Sequence, residues 1–310
     1  MEQPSTRRYP IFAFSGILLV LCGAILFSTK AVLIKLAYQY EVSSISLLGL
    51  RMFTALPFFL LIGYWQRRRD PNRKPLSRRQ FFYVILLGLC GYYLASYTDF
   101  LGLRYLSAGM ERLILFTYPT LVLLMGWVLF GRRISRQQAY ATLLAYLGII
   151  VAFSTADWSG GSNFGLGASL VFFSALSYGA FVIGSGVWAP ILGSIRFNSL
   201  AMTAAASGVI LQVIIQGAPI FGLAWPVYAY GIAMGFFATV LPSYMMTEGI
   251  KQIGPGSAAI MSSIGPVATI VLEYLCLGEV MDAAQWIGGA LIITGVVVIG
   301  RSKARAQLAK

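Results

Sequence analysis

A few ionisable side chains of this chain stand inside long apolar stretches. The cations are Lys30, Lys35, Arg51 and Arg112; the carboxylates are Asp99, Glu111 and Glu273. A charge in hydrocarbon costs about 2.5–3.5 kcal/mol on insertion scales, so such groups face a cavity or a partner. Here they could pair, hold the charged ends of a solute, or exchange a proton. Loss of water favours the protonated form of a carboxylate, which suits proton coupling. Glu273, with no basic neighbour in its own half, is the leading carboxylate for that role. Tyr97 and Tyr244 are candidates to stack an aromatic or amphipathic solute. Pro119, Pro266 and Pro242 each remove a backbone hydrogen bond and free a carbonyl, which marks a hinge or a break lining a cavity.

Other chemistry is missing. There is no histidine, so the commonest general base and metal ligand is absent. Cys22, Cys90 and Cys276 sit in apolar runs at unrelated spacing and read as small buried hydrophobes. No metal-ligand set, phosphate loop or nucleophile elbow occurs. The expectation is therefore no metal, no cofactor, no catalytic residue, and no primary ATP-driven transport.

The elements that must hold these residues follow from composition. Hydrophobic residues make up 58% of the 310 and charged ones 11%, with mean hydropathy +0.78. Soluble domains average roughly 45–50% apolar and about 25% charged. A soluble enzyme, a nucleic-acid binder and a disordered chain are excluded. Ten helical spans are expected, at Phe14–Ala37, Ser44–Trp65, Phe81–Leu103, Ala108–Phe130, Gln137–Thr155, Gly165–Trp188, Asn198–Gln216, Pro226–Gly249, Ser257–Leu277 and Ala283–Gly300. The first lies in an apolar run, Ile11–Leu36, longer than the roughly 7–15 residues of a signal-peptide core, so it reads as an uncleaved span. Basic residues cluster in alternate loops and both tails, 18 of the 23 on one side, with Arg104 alone opposite. This places both termini in the cytoplasm. It also makes most of the +13 charge a topology signal. On that topology the embedded charges crowd the outer half, as a nearly balanced vestibule.

The chain repeats itself. At a constant separation of 147 residues, Gly88 meets Gly235, Ser96–Tyr97 meets Ser243–Tyr244, Gly102 meets Gly249, and Pro119 meets Pro266. Gly131/Gly278, Gln138/Gln285 and Gly148/Gly295 continue the series. A weaker match near 151 pairs Gly16 with Gly167 and Ala24 with Ala175; Phe27 and Tyr178 are mates there too. Five spans per copy is an odd number, so the copies insert in opposite senses. The fold expected is an all-α polytopic membrane protein of ten helices in two inverted five-helix repeats, residues 1–156 and 164–310.

Several stretches resemble the EamA-type branch of the drug/metabolite transporter superfamily. They are Gly102-Leu-Arg-Tyr-Leu-Ser-Ala-Gly, Tyr118-Pro119 and Leu129-Phe130-Gly131-Arg132-Arg133. The second copy has Gly249-Ile-Lys-Gln-Ile-Gly-Pro-Gly, Gly265-Pro266, Leu277-Gly278-Glu279, Gln285, Gly288 and Gly295. Lys35 and Arg51 match places where that family often carries a basic residue. The chain departs at Arg132, where the family usually has the Glu kept here as Glu279, and at Glu111-Arg112. The resemblance implies ten helices, the fifth and tenth peripheral, and export of a metabolite or amino acid.

The function expected is a secondary active transporter exporting a small amino-acid-like or amphipathic solute by alternating access. Its membrane is the plasma membrane, a bacterial inner membrane. A passive channel on the same scaffold and a membrane-embedded enzyme are the alternatives. The partners expected are the solute, membrane lipids, a proton or counter-solute, and a second copy of the chain. Gly288, with Ala284 on the tenth helix, reads as a close-packing position, with a dimer face as the alternative. No nucleic acid is expected.

Overall fold

The computed structural model describes residues 11–70, 75–106, 111, 114–152, 154, 163–277 and 282–308. Helices follow each apolar run, because a helix satisfies its own backbone groups where water is absent. They are α1 (Ile11–Tyr38), α2 (Ser44–Arg69), α3 (Arg78–Gly102), α4 (Tyr118–Phe130), α5 (Arg136–Ala152), α6 (Phe164–Leu192), α7 (Ser194–Gln216), α8 (Trp225–Ile253), α9 (Pro255–Met261 and Ile264–Leu277) and α10 (Ala283–Leu308). Eight of these are long and apolar enough to cross a membrane, with α4 shorter. Large side chains stand exposed along them, as at Leu129 (65%) and Ile215 (74%). Lipid, not water, suits such a surface. The protein is an integral membrane protein.

Helix starts are written in the sequence. Ser135 and Gln138 form reciprocal bonds before α5: Ser135 N donates to Gln138 Oε1 at 3.0 Å, and Gln138 N to Ser135 Oγ at 3.2 Å. Asp282 and Gln285, their counterparts in the second half, do the same before α10 at 3.0 and 2.7 Å. Such boxes satisfy donors that the first turn leaves orphaned.

Both halves interrupt their third helix in the same way. A π-helical turn spans Leu89–Leu94 in α3 and Phe236–Val240 in α8. Pro242 follows the second turn; its ring cannot accept the ordinary α register against the carbonyl four residues back. Helix packing is equally paired. The end of α3 lies on α6 as the end of α8 lies on α1, while α2 packs on α7 and α5 on α10. A Cβ built on Gly102 would fall 2.5 Å from Val171 Cγ2 and 3.1 Å from the Gly167 carbonyl; one on Gly249 would fall 2.4 Å from Val20 Cγ2 and 3.2 Å from the Gly16 carbonyl. Only glycine permits these approaches, and the partners match at the weaker separation read from the sequence.

Gly288 takes the close-packing role. It faces Gly148 within the same chain, where an added Cβ would lie 2.4 Å from the Gly148 carbonyl. The α5–α10 contact occupies it.

Candidate functional site

A cavity with about 780 Å³ of empty space, part of it open to the outside, lies among α1, α2, α3, α6, α8, α9 and the start of α4. Its aromatic wall comes from Phe27, Tyr92, Phe116, Tyr118 and Tyr178. Tyr178 meets Tyr92 and Tyr118 edge-on, with centroids 6.0 and 5.2 Å apart. Tyr118 is pinned by its hydroxyl, which donates to the Ala259 carbonyl at 3.3 Å.

The charged wall is compact. Lys30 Nζ donates to Asp99 Oδ2 at 3.1 Å, with side chains 15% and 3% exposed. The ammonium also lies 6.0 Å from the centre of the Phe100 ring. Arg51 is only 2% exposed. Its Nε donates to Thr239 Oγ1 at 2.6 Å, and the Thr239 hydroxyl in turn donates to the Met234 carbonyl at 2.8 Å. Arg51 Nη1 is buried with no hydrogen-bond partner. A buried donor left unused costs about 1–3 kcal/mol, so it is an invitation to an acceptor.

The helix breaks line this cavity too. The helical run before α4 ends in a turn at residues 116–117, one turn ahead of Pro119, and α9 is interrupted at 262–263, ahead of Pro266. Phe116 and Tyr118 at one break, and Ser262 and Gly265 at the other, are cavity residues. Proline explains the exposed backbone. Pro266 cannot donate to the Ser262 carbonyl, which accepts from Gly265 N at 2.9 Å instead. Ser28 Oγ sits 2.9 Å from the Gly265 carbonyl, tying α1 to the break.

The residues singled out from sequence divide. Lys30, Arg51 and Asp99 come together at the cavity, and Pro119 and Pro266 stand beside its two breaks. Pro242 lies two residues past the π-helical turn of α8 and is buried. Tyr97 and Tyr244 do not line the cavity. Tyr97 stacks on Tyr93, with centroids 6.5 Å apart, and Tyr244 shares a 2.7 Å hydrogen bond with Ser199. Glu111 is buried, at 2% exposure, and is not a cavity residue. Lys35 is half-buried on α1. Arg112 lies outside the described residues, and for Glu273 the description stops at its place on α9.

Sequence reasoning missed Phe116 and the serines Ser28, Ser96, Ser174 and Ser262 as cavity residues, and Thr239 as the partner that holds Arg51. One signal was available for Thr239: in the repeat it is the counterpart of Tyr92, so the copies differ at that place.

At the other end of α8, Glu248 gathers several groups. It accepts from Ser194 Oγ, from Lys251 Nζ at 3.2 Å and from Gln252 Nε2 at 2.9 Å. Gln252 in turn accepts from Ser15 of α1 at 3.0 Å.

Known proteins with similar sequence or shape agree with this architecture. The profile of the EamA-like transporter family matches twice, at residues 14–154 and 165–301. An uncharacterized transporter of Bacillus subtilis, YcbK, is 32% identical over 95% of both chains. The multidrug resistance protein EbrB of the same organism is 33% identical over 88 residues, 28% of this chain and 71% of EbrB. A solved structure described as "Crystal structure of protein" superposes with a TM-score of 0.77 at 18% identity, covering 94% of this chain and 98% of that one. That last match shows a shared fold.

Proposed function

The chain belongs to the EamA-like transporter family, and on that premise we propose that it is a secondary active transporter exporting a small organic metabolite across the plasma membrane. The solute class is amino-acid-like or amphipathic, and the mode is alternating access. Ten spans form two inverted five-helix repeats with both termini in the cytoplasm. The equivalent capping boxes, π-helical turns and glycine contacts of the two halves support that arrangement. One five-helix pattern inserted in both senses has two related states, each open to one side.

The observation that carries the reading is the cavity itself. Both halves contribute to it; it is aromatic on one wall, charged on another, and edged by two broken helices. Aromatic and polar groups converging on one concave site are what a small solute with an apolar body and a charged end requires. The local likeness to a multidrug resistance protein agrees with an organic cargo. Coupling to a proton or a counter-solute completes the proposed cycle.

The test is counterflow. Purified protein, screened by thermal shift against a metabolite collection, identifies a stabilising compound. Proteoliposomes preloaded with that compound then take up its labelled form. Faster uptake into loaded than into empty vesicles supports a carrier. Downhill flux without any acceleration identifies a channel and refutes alternating access.

A further inference from the structure

A second cavity, with about 640 Å³ of empty space, part of it open to the outside, lies where the link between α4 and α5 meets the link between α8 and α9. Arg132, Arg133, Gln138 and Ser257 give it a polar side, and Ile183 and Ile253 an apolar one. Local geometry explains why the arginines are there. Gly131 adopts the left-handed conformation at φ 61° and ends α4; its N–H bonds the Trp127 carbonyl at 2.9 Å, and Arg132 N bonds the Gly126 carbonyl at 3.1 Å. This closure turns Arg132 back along its own helix. Its guanidinium lies 5.4 Å from the centre of the Phe130 ring.

Three features point to an anion. No carboxylate is among the residues lining the cavity, and neither arginine is ion-paired among the described residues. Ser257 is 1% exposed, and its Oγ has no hydrogen-bond partner. The place that Arg132 occupies is held by Glu279 in the second half, a reversal of charge between the copies. Arginine forks suit phosphate better than any other common anion except carboxylate. The apolar side adds a preference for a ligand with a hydrocarbon portion. Leu129, 65% exposed, and Trp127, 57% exposed, stand just before the arginines on α4, a surface suited to lipid.

We propose that this cavity binds a phosphate group, carried by an anionic phospholipid or free in solution, through Arg132, Arg133 and Ser257. It is separate from the central cavity. Each half of the chain supplies one of its two links, so a bound phosphate bridges them at the cytoplasmic end of the proposed topology. That bridging affects transport only if the transport reading holds; the binding does not depend on it.

The test uses full-length protein in a zwitterionic detergent. Short-chain phosphatidylglycerol, short-chain phosphatidylcholine and inorganic phosphate are titrated separately, and thermal unfolding is read. Saturable stabilisation by phosphatidylglycerol is expected, weakened about tenfold or more in R132Q/R133Q, as the loss of charge-assisted hydrogen bonds dictates. Ser257→Ala, which keeps the fold's volume nearly intact, should weaken it less. R67Q/R68Q, altered at basic residues outside the cavity, should match the parent. Stabilisation by inorganic phosphate, lost in R132Q/R133Q, assigns the site to free phosphate; phosphatidylglycerol active with phosphate inert assigns it to lipid. The proposal falls if neither ligand binds saturably, if phosphatidylcholine does as well as phosphatidylglycerol, if R67Q/R68Q loses as much as R132Q/R133Q, or if Ser257→Ala and the single variant Arg133→Gln both bind like the parent.

Discussion

Arg51 on α2 is held by Thr239, 188 residues away, through a 2.6 Å bond from Nε to the threonine hydroxyl. Thr239 stands in the π-helical turn of α8 and is itself held by Met234. The arginine is thus aimed from two helices at once, with Nη1 left over. Removing the acceptor by Thr239→Val strands a second buried donor, at about 1–3 kcal/mol. The expected result is a lower unfolding temperature and a several-fold higher KM in counterflow, both restored by Thr239→Ser. Arg51→Lys should not rescue Arg51→Gln, because an ammonium lacks the fork that reaches the hydroxyl and still presents another N–H. Parent-like KM and stability in Thr239→Val would remove the anchoring role.

Asp99 is buried and Lys30 is partly buried, with side chains 3% and 15% exposed, so the pair carries a penalty when halved. Taking away one partner of a fully buried pair costs about 3–5 kcal/mol, and the partial exposure of Lys30 puts this pair below that range. Lys30→Met and Asp99→Asn should each destabilise the protein by more than the double variant's excess over either. A double-mutant cycle on unfolding temperature measures this coupling; additive losses would show that the two groups act independently. Transport should be lost in all three, as the charged wall is gone.

Much of this fold was readable because glycine, proline and capping residues recur at one separation, and those residue types dictate backbone geometry. The site was readable in part. Lys30, Arg51 and Asp99 stand out as charges within apolar runs. Their counterparts in the repeat near the charged pair are Phe181 for Lys30 and Met246 for Asp99, so the charge of the pair comes from the first copy alone. Symmetry therefore reveals the frame, and departures from symmetry reveal the chemistry. The Arg51–Thr239 contact was not readable, because it depends on the π-helical turn that sets the register of α8. The tyrosines show a different failure. Tyr92, Ser96 and Asp99 share a helix face at spacings of four and three, whereas Tyr97 is two residues from Asp99 and faces away. Its repeat mate made Tyr97 conspicuous, but equivalence in the repeat reports scaffold as readily as site.

That distinction can be measured. Tyr178→Ala removes a ring that touches both Tyr92 and Tyr118 at the cavity wall, and should raise KM several-fold because the solute loses an aromatic surface, with a separate loss of stability up to about 3 kcal/mol. Tyr97→Ala removes a ring stacked on Tyr93 outside the cavity and should leave KM within about twofold, with the loss confined to stability. Tyr178→Phe should behave like the parent if the ring, not the hydroxyl, meets the solute. Equal effects of Tyr97→Ala and Tyr178→Ala on KM would return Tyr97 to the site.

The pair Gly148 and Gly288 supports the last prediction, on the role of α5 and α10. These helices approach so closely that a Cβ on Gly148 would fall 2.6 Å from the Gly288 carbonyl, and one on Gly288 would fall 2.5 Å from Ala152 N. Backbone cannot yield as a side-chain tip can, so Gly148→Ala and Gly288→Ala must push the helices apart. Forcing a methyl into packed structure costs about 1–3 kcal/mol, and the closer backbone approach puts both variants at the upper end. Neither residue lines the central cavity. The unfolding temperature should therefore fall in each variant while KM of the surviving protein stays at the parent value. The double variant should lose less than the sum, because one separation relieves both clashes. An altered KM at parent stability would place α5 and α10 in the transport cycle rather than in its supporting frame.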